Sequence, residues 1–442
     1  MGVFWGVFLR SGLFLVCLLL PFTCFGGGME QQGVSRADFE ELKERLERLE
    51  AIVSSQQQVI QEQKSIIQEQ EEKLMGISQD VAATGKEGSE MSWSDRIEIG
   101  GLVEFGGGWE NREGKGGKHH AQSDLTLATV EVSLSAEPND WVRAESVLLY
   151  EDSLFEGDDH NNFDVDVAVV TLGNTDEFPL YLAAGKMYLP FGALLTNFPD
   201  DPLTDIPVTV LLGEISEKAV LVGFERSGLT ASAYLFNGDL EKGDEDHIED
   251  YGFDIHYKGM FVPGGNVTYG RGGKFEHELE GVFDYLIGTS YISNIAESDG
   301  LTDRVGTTSI HKSVPGIDFY LHIEYGNLFL DAEYMGAIED FDERDLKWGN
   351  DGAQPAVWNF EAGFNYNWWR NLVVAFKYAG SDEAPGMPEA RYGICFNQEI
   401  YDGVIASLGY THDEFNKNAD EDLEGEPLDK KDFIFWQLAV EF

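Results

Sequence analysis

The chain has 442 residues, with Lys+Arg 30 against Asp+Glu 80 and a formal net charge of -50, which excludes nucleic-acid binding through a basic face. Gly 50, Phe 29, Tyr 17 and Trp 9 are high for a soluble protein. A mean hydropathy of -0.24, with no apolar span of about 18 residues beyond the N-terminus, excludes a helical membrane protein. A transmembrane β-barrel satisfies both facts, because its strands alternate apolar residues outside with polar ones inside and need no hydrophobic average.

Residues 1–26 read as a secretory signal, with Arg10 as a weakly positive start, Leu13 to Phe22 as the apolar core and Cys24-Phe25-Gly26 as a rough cleavage site. A lipoprotein reading through Cys24 lacks the upstream Leu and small residue that it needs. Cys17 and Cys24 leave with the signal, so Cys395 remains alone and no disulfide, thiol or zinc site is expected. No cofactor motif is found. His119-His120 reads as a solvated pair in a polar loop, and the Asp/Glu runs lack the spacing of a calcium loop.

Over 30–75, apolar residues step by three and four through Phe39, Leu42, Leu46, Leu49 and Val53 to Ile60, Ile67 and Leu74, with Gln56, Gln63 and Gln70 between them. That spacing predicts a periplasmic coiled coil. Its stripe has nothing in its own chain to pack against, so a homo-oligomer is expected, a trimer by preference because large outer-membrane barrels are often trimeric. The Gly-bearing polar stretch 76–93 reads as a linker.

The remainder, 94–442, reads as an all-β transmembrane barrel of about sixteen antiparallel strands. Period-2 alternation places them near 95–110, 124–136, 141–150, 163–173, 179–188, 217–226, 229–237, 250–258, 281–293, 317–325, 328–337, 357–368, 372–380, 389–398, 404–412 and 432–442. Over 357–368, Trp358, Phe360, Ala362, Phe364, Tyr366 and Trp368 fall on the lipid side, opposite Asn359, Glu361, Gly363, Asn365 and Asn367. Short turns such as Pro138-Asn139-Asp140, Arg226-Ser227-Gly228, Gly326-Asn327 and Trp369-Arg370-Asn371 alternate with long acidic stretches near 111–123, 151–162, 189–216, 238–249, 294–316, 338–356, 381–388 and 413–431. The Gly-rich 259–280 falls where a short turn belongs, so it either lengthens two strands or holds a further weak pair.

The last strand puts Ile434, Trp436, Leu438, Val440 and Phe442 on one face. A terminal aromatic strand must close the barrel onto the first strand, and it resembles the signal by which the outer-membrane assembly machinery recognises its clients. Lumen candidates by parity are Glu98, Glu104, Arg143, Glu145, Asp164, Asp166, Lys186, Asp254, His256, Asp318, His322, Glu324, Asp331, Glu333, Glu361, Lys377 and Arg391. Opposed ladders of such charges orient polar solutes and set ion selectivity. The plainer reading is that they pair with one another and stiffen the wall.

The third long loop holds Gly185-Lys186-Met187-Tyr188-Leu189-Pro190-Phe191-Gly192, then Asp200-Asp201-Pro202-Leu203-Thr204 and Leu212-Gly213-Glu214. Pro190, Gly192, Pro199, Pro202 and Pro207 shape it, the prolines by fixing the backbone. The expected selectivity element is 189–216, with Asp200-Asp201 biasing the pore toward cations. This run resembles the outer-membrane siderophore porins of the legiobactin-uptake (LbtU) type, which carry a similar "GK-x-YLPFG … DPLT … LGE" stretch. The likeness extends in layout to signal, coiled coil and sixteen-stranded barrel, but it is sharp only over these thirty residues. It implies a Gram-negative outer-membrane channel, among outer-membrane lipids and lipopolysaccharide, that passes an iron–siderophore complex. Competing readings are a general cation-preferring porin, an envelope tether built around the coiled coil, and a barrel lipase, which needs Ser and His on the lipid face. No plug domain stands between coiled coil and first strand, so energised uptake is not expected.

Overall fold

The computed structural model describes residues 96–152, 154–155, 163–199, 207–240, 247–261, 283–302, 304–305, 309–366, 370–419, 422–423 and 425–442. The signal, coiled coil and linker expected over 1–93 lie outside them, as do Asp200, Asp201, Pro202 and Thr204.

Nineteen strands follow in chain order: β1 (Ile97–Gly114), β2 (His119–Asn139), β3 (Val142–Glu151), β4 (Asp164–Leu172), β5 (Leu180–Tyr188), β6 (Ser216–Arg226), β7 (Leu229–Phe236), β8 (Asp250–Phe261), β9 (Phe283–Ile292), β10 (Gly316–Tyr325), β11 (Leu328–Ala337), β12 (Lys347–Trp348), β13 (Asp351–Gly352), β14 (Ala356–Tyr366), β15 (Leu372–Asp382), β16 (Ala390–Tyr401), β17 (Val404–Glu414), β18 (Asp422–Leu423) and β19 (Glu426–Glu441). β12, β13 and β18 are two-residue pieces within loops, which leaves sixteen long strands. Each pairs antiparallel with its chain neighbour, and β19 returns to β1 with Leu102 opposite Glu441 and Trp109 opposite Ile434. The barrel is closed, so its wall has no open edge.

The alternation read from the sequence holds. On β14, Phe360 is 45% exposed and faces out, whereas its neighbour Glu361 is 0% exposed and faces in. On β19, Ile434, Trp436 and Leu438 face out while Phe433, Phe435 and Gln437 are buried inside.

Three loop boundaries differ from the expected ones. The first long loop does not exist, because β1 and β2 run on to Gly114 and His119 and join in a four-residue turn, which places His119 and His120 on β2. Likewise β19 begins at Glu426, so the eighth loop is shorter than 413–431. β8 pairs directly with β9 from Gly252 opposite Ile292 to Phe261 opposite Phe283, so no strand intervenes in the wall there.

Phe442 donates its N–H to Gly101 O at 3.0 Å and accepts from Gly101 N at 2.9 Å, and its ring is 74% exposed on the outer face. Deleting Phe442 removes the last rung of the seam without touching the interior. The expected outcome is less heat-modifiable barrel in the outer-membrane fraction, read on unboiled gels. Normal assembly of the truncation would refute the closing role of this residue.

Candidate functional site

The third long loop leaves β5, and its described parts, 189–199 and 207–215, fold into the lumen rather than out over the rim. Its base is closed by Leu189 N donating to Ile215 O at 2.9 Å, and Phe191 is fully buried among loop residues Val208, Leu212 and Ile295. Gly192 then turns the chain with φ +86, where a Cβ would meet Met335 Cε at 2.8 Å and Glu333 Oε1 at 3.0 Å. Only glycine satisfies both the backbone angle and this close approach. The "PFG" of the sequence is thus an anchor followed by a turn.

Beyond Gly192 the loop's backbone polar groups are met by side chains of the far wall, as buried amides require. Gly192 N donates to Ser290 Oγ at 2.9 Å. Ala193 N and Leu194 N both donate to Glu333 Oε1, at 2.7 and 3.0 Å. Thr196 Oγ1 donates to Glu361 Oε1 at 2.8 Å, and Asn197 N to Glu361 Oε2 at 2.6 Å. Asn197 Nδ2 reaches Asp331 at 2.9 Å, while Asn359 and Asn397 donate to the carbonyls of Leu195 and Asn197. The helix α1 (Val208–Gly213) brings the chain back, and Glu214 O accepts from Asp299 N of the fifth loop at 3.0 Å.

Behind the loop sits Lys377, whose Nζ lies 3.1 Å from Glu361 Oε1, with both side chains essentially buried. Phe198 caps it, the ammonium 4.2 Å from the ring centroid, and Phe198 in turn meets Phe435 at 6.5 Å. Leu154 of the second loop joins Phe198, Phe433 and Phe435 in one buried cluster, with Phe155 packed against it. The inner aromatics Phe433 and Phe435 therefore tie together two inward-folded loops. Parity identified their face in the sequence; nothing there marked Phe198, Thr196, Asn197 or Leu154.

Among the described residues the third loop hydrogen-bonds to β9, β11, β14, β15 and β16, whereas β1–β4 line the other side of the ring. Parity places Glu131, Glu145, Glu151 and Asp164 on that side, with Arg143 3.6 Å from Glu145. Two further lumen bases are paired: Arg112 with Glu110 at 2.9 Å, and Arg391 bidentately with Asp413 at 2.7 and 2.8 Å. No basic ladder opposes an acidic one among these residues, so wall pairing prevails for the bases.

The predicted lumen residues Glu98, Glu104, Asp254, His256, Asp318, His322, Glu324, Asp331 and Glu333 are on the inner face. Lys186 is not. On β5 the exposed Leu180, Leu182 and Tyr188 share its parity, whereas Ala183 and Met187 are buried inside. The fifth-strand register therefore turns Lys186 outward, and its Nζ donates to Val165 O at 2.8 Å. Asp166 sits at a register irregularity on β4, where Val165 and Val167 pair with successive residues of β3. It accepts from Tyr188 Oη at 2.8 Å. Of the expected pore-loop residues, Pro190, Phe191 and Glu214 belong to the inward loop, whereas Lys186 and Tyr188 do not line it.

The loops also hold a titrating contact. Glu297, buried in the fifth loop, accepts from Asp239 N at 2.9 Å, Leu240 N at 3.3 Å and Asn294 Nδ2 at 3.0 Å. Burial, with Asp250 nearby, pushes its carboxyl up to about 8.

No family model matches the chain. It is similar to the UPF0422 protein of Coxiella burnetii, 24% identical over 308 residues that cover 67% of this chain and 61% of that one. It is also similar to a UPF0422 protein of Legionella pneumophila (strain Lens), 26% identical over 318 residues that cover 66% and 55%. The chain thus spans less than two thirds of the length of these relatives. In fold it resembles the outer membrane channel DcaP of Acinetobacter baumannii, with TM-score 0.50, 11% identity and coverage of 78% of this chain and 97% of that one. It also resembles Salmonella typhi OmpF in complex with daunomycin, with TM-score 0.51, 11% identity and coverage of 78% and 97%. The fold is that of a porin barrel.

Two predictions follow from the loop seat. Glu361→Ala leaves the Lys377 ammonium buried without its partner and frees Thr196 and Asn197, a change that costs about 3–5 kcal/mol. The loop should detach, seen as a higher single-channel conductance and a lower unfolding midpoint, and Glu361→Gln with Lys377→Met should recover most of the stability. For Glu297, a carboxyl raised in the folded state above its ordinary 4.5 holds its proton between those values, so the packed loops bind more protons than the open ones. Their contact is strongest below about pH 4.5, weakens as pH rises and has lost this contribution by about pH 8. Limited proteolysis of the fourth loop should accelerate over that window, and Glu297→Gln should flatten the profile.

Proposed function

We propose that the protein is a passive channel of the Gram-negative outer membrane for small polar solutes, of the siderophore-porin type, with an iron–siderophore complex as cargo. The observation that carries the channel reading is the third loop, seated inside the barrel by Glu333 and Glu361, across the ring from the acidic inner face of β1–β4. A tether needs no such constriction. The siderophore cargo rests on the "YLPFG" and "LGE" stretches, whose Phe191, Gly192 and Leu212 build that seat. Trimeric assembly fits the same reading.

A barrel lipase is disfavoured by geometry. His256 Nδ1 pairs with Asp254 inside at 2.8 Å, and His322 pairs with Asp331. His412, next to the outward Tyr410, sits 2.7 Å from Asp432, but its Nε2 faces Glu414 at 3.8 Å rather than a serine hydroxyl. The second reading, a general cation-preferring porin, is favoured by that acidic inner face.

The channel is tested by liposome swelling and by reversal potentials in a salt gradient at low ionic strength, since at about 1 M salt screening shortens to about 3 Å and hides the wall. Cation preference is expected, moving toward anions in Glu131→Gln with Asp164→Asn. Unchanged potentials in that pair, and a shift in Asp200→Asn with Asp201→Asn, would return selectivity to the third loop. Growth of a deletion strain on defined iron sources decides the cargo: a defect confined to one ferric siderophore supports it, and none refutes it.

A further inference from the structure

The outward turn of Lys186 has a partner on the next strand. Lys186 of β5 and Lys218 of β6 stand directly across from each other in the register. Lys218 shares its face with the exposed Val220 and Val222, while Ala219 and Leu221 are buried inside. Like charges directly opposite on one face of a strand pair repel, and a lysine on the lipid face is unfavourable unless its ammonium reaches the headgroup level. Both lysines lie two residues from the long-loop ends of their strands, Tyr188 and Ser216. From such a position an aliphatic stem can run over apolar wall and carry its ammonium to the headgroup level.

Among the described residues neither ammonium forms an ion pair. Lys186 spends one N–H on Val165 O; of the nearby carboxylates, Asp166 is engaged by Tyr188 Oη, and Glu217, within electrostatic reach of Lys218, has the inward parity of Ala219 and Leu221. In a chain of formal net charge -50, two adjacent bases on one outward spot call for an external anion. Below them the exposed side chains are aliphatic, Leu182, Val220 and Val222, which suits acyl chains.

We propose that Lys186 and Lys218 form a binding site for a phosphate of an anionic outer-leaflet glycolipid, whose acyl chains lie on the β5–β6 wall. Lysine serves here as a point charge to phosphate. The site rests on the outer-membrane reading above. A carboxylate of a second copy is the competing occupant.

The test uses full-length protein purified from the outer-membrane fraction and titrated in detergent with phosphorylated lipid A, or with its dephosphorylated form, by native mass spectrometry. Lys186→Gln with Lys218→Gln should bind phosphorylated lipid A about thirtyfold more weakly, the factor given by two bases worth about 1 kcal/mol each at an anionic surface. Wild-type protein should show a similar loss with dephosphorylated lipid, and the variant should keep its heat-modifiable barrel. Equal affinity of wild type and variant overturns the site, as does equal binding of the two lipids. Unchanged lipid binding with a dissociated oligomer assigns the lysines to a second copy instead. Should the double variant misfold, Lys218→Gln alone serves, with a smaller loss expected. Absence of the barrel from the outer-membrane fraction would overturn the location and the site together, and is distinct from a folded outer-membrane barrel that ignores the phosphate.

Discussion

Every feature of this molecule depends on the seam between β1 and β19. Backbone amides in hydrocarbon must find partners within the protein, and in a ring of antiparallel strands they do so only if the last strand meets the first. Once the ring closes, the pleat fixes two faces. Strand alternation then becomes a division between lipid and lumen, with Trp436 and Phe360 on one side and Gln437 and Glu361 on the other.

The closed wall supplies the lumen with buried carboxylates, and the third loop uses them. A loop crossing a barrel carries amides that water cannot fully reach, so it needs acceptors spaced along its path. Glu333 takes two of them and Glu361 takes one together with a hydroxyl. Lys377 compensates Glu361 from behind. The bonding is mutual: an unfilled seat would leave charged groups buried, and an unseated loop would leave bare amides. Neither state is stable alone, and that coupling fixes the constriction.

The strand layout was legible because period-2 alternation is a local property with a global cause. Positions expected from the sequence match the strand spans to within a few residues over most of the barrel. The misassignments share one origin. Parity assigns Lys186 to the lumen, yet it shares the parity of the lipid-facing Leu182, and the register irregularity at Asp166 on β4 is invisible to such counting. Polarity alone suggested an inner position, and polarity is also what the headgroup level accepts. The loop seat was legible only as a motif: Phe191 and Gly192 stood out, whereas Thr196, Asn197 and Phe198 matter through partners more than 130 residues away in sequence, which no local pattern encodes. The aromatic pair Phe433 and Phe435 marked itself as inward, but its role as a bridge between two loops depends on Leu154, in another loop altogether.

The distribution of charge follows from the same economy of burial. A base inside the barrel is stable where a carboxylate meets it, as Asp413 meets Arg391, Glu361 meets Lys377 and Glu110 meets Arg112. Such neutral pairs contribute little field along the passage. Carboxylates outnumber bases in the chain by 80 to 30, so once the bases are matched the surplus is acidic. On β2–β4, Glu131, Glu151 and Asp164 share the inner face, across the ring from the strands that anchor the third loop. Two unit charges about 8 Å apart interact by roughly 2 kcal/mol at an effective dielectric of about 20, which is the scale on which an acidic lumen face acts on a passing ion. The seated loop narrows the lumen, and under the channel reading proposed above the acidic face across from it sets the charge of the passage.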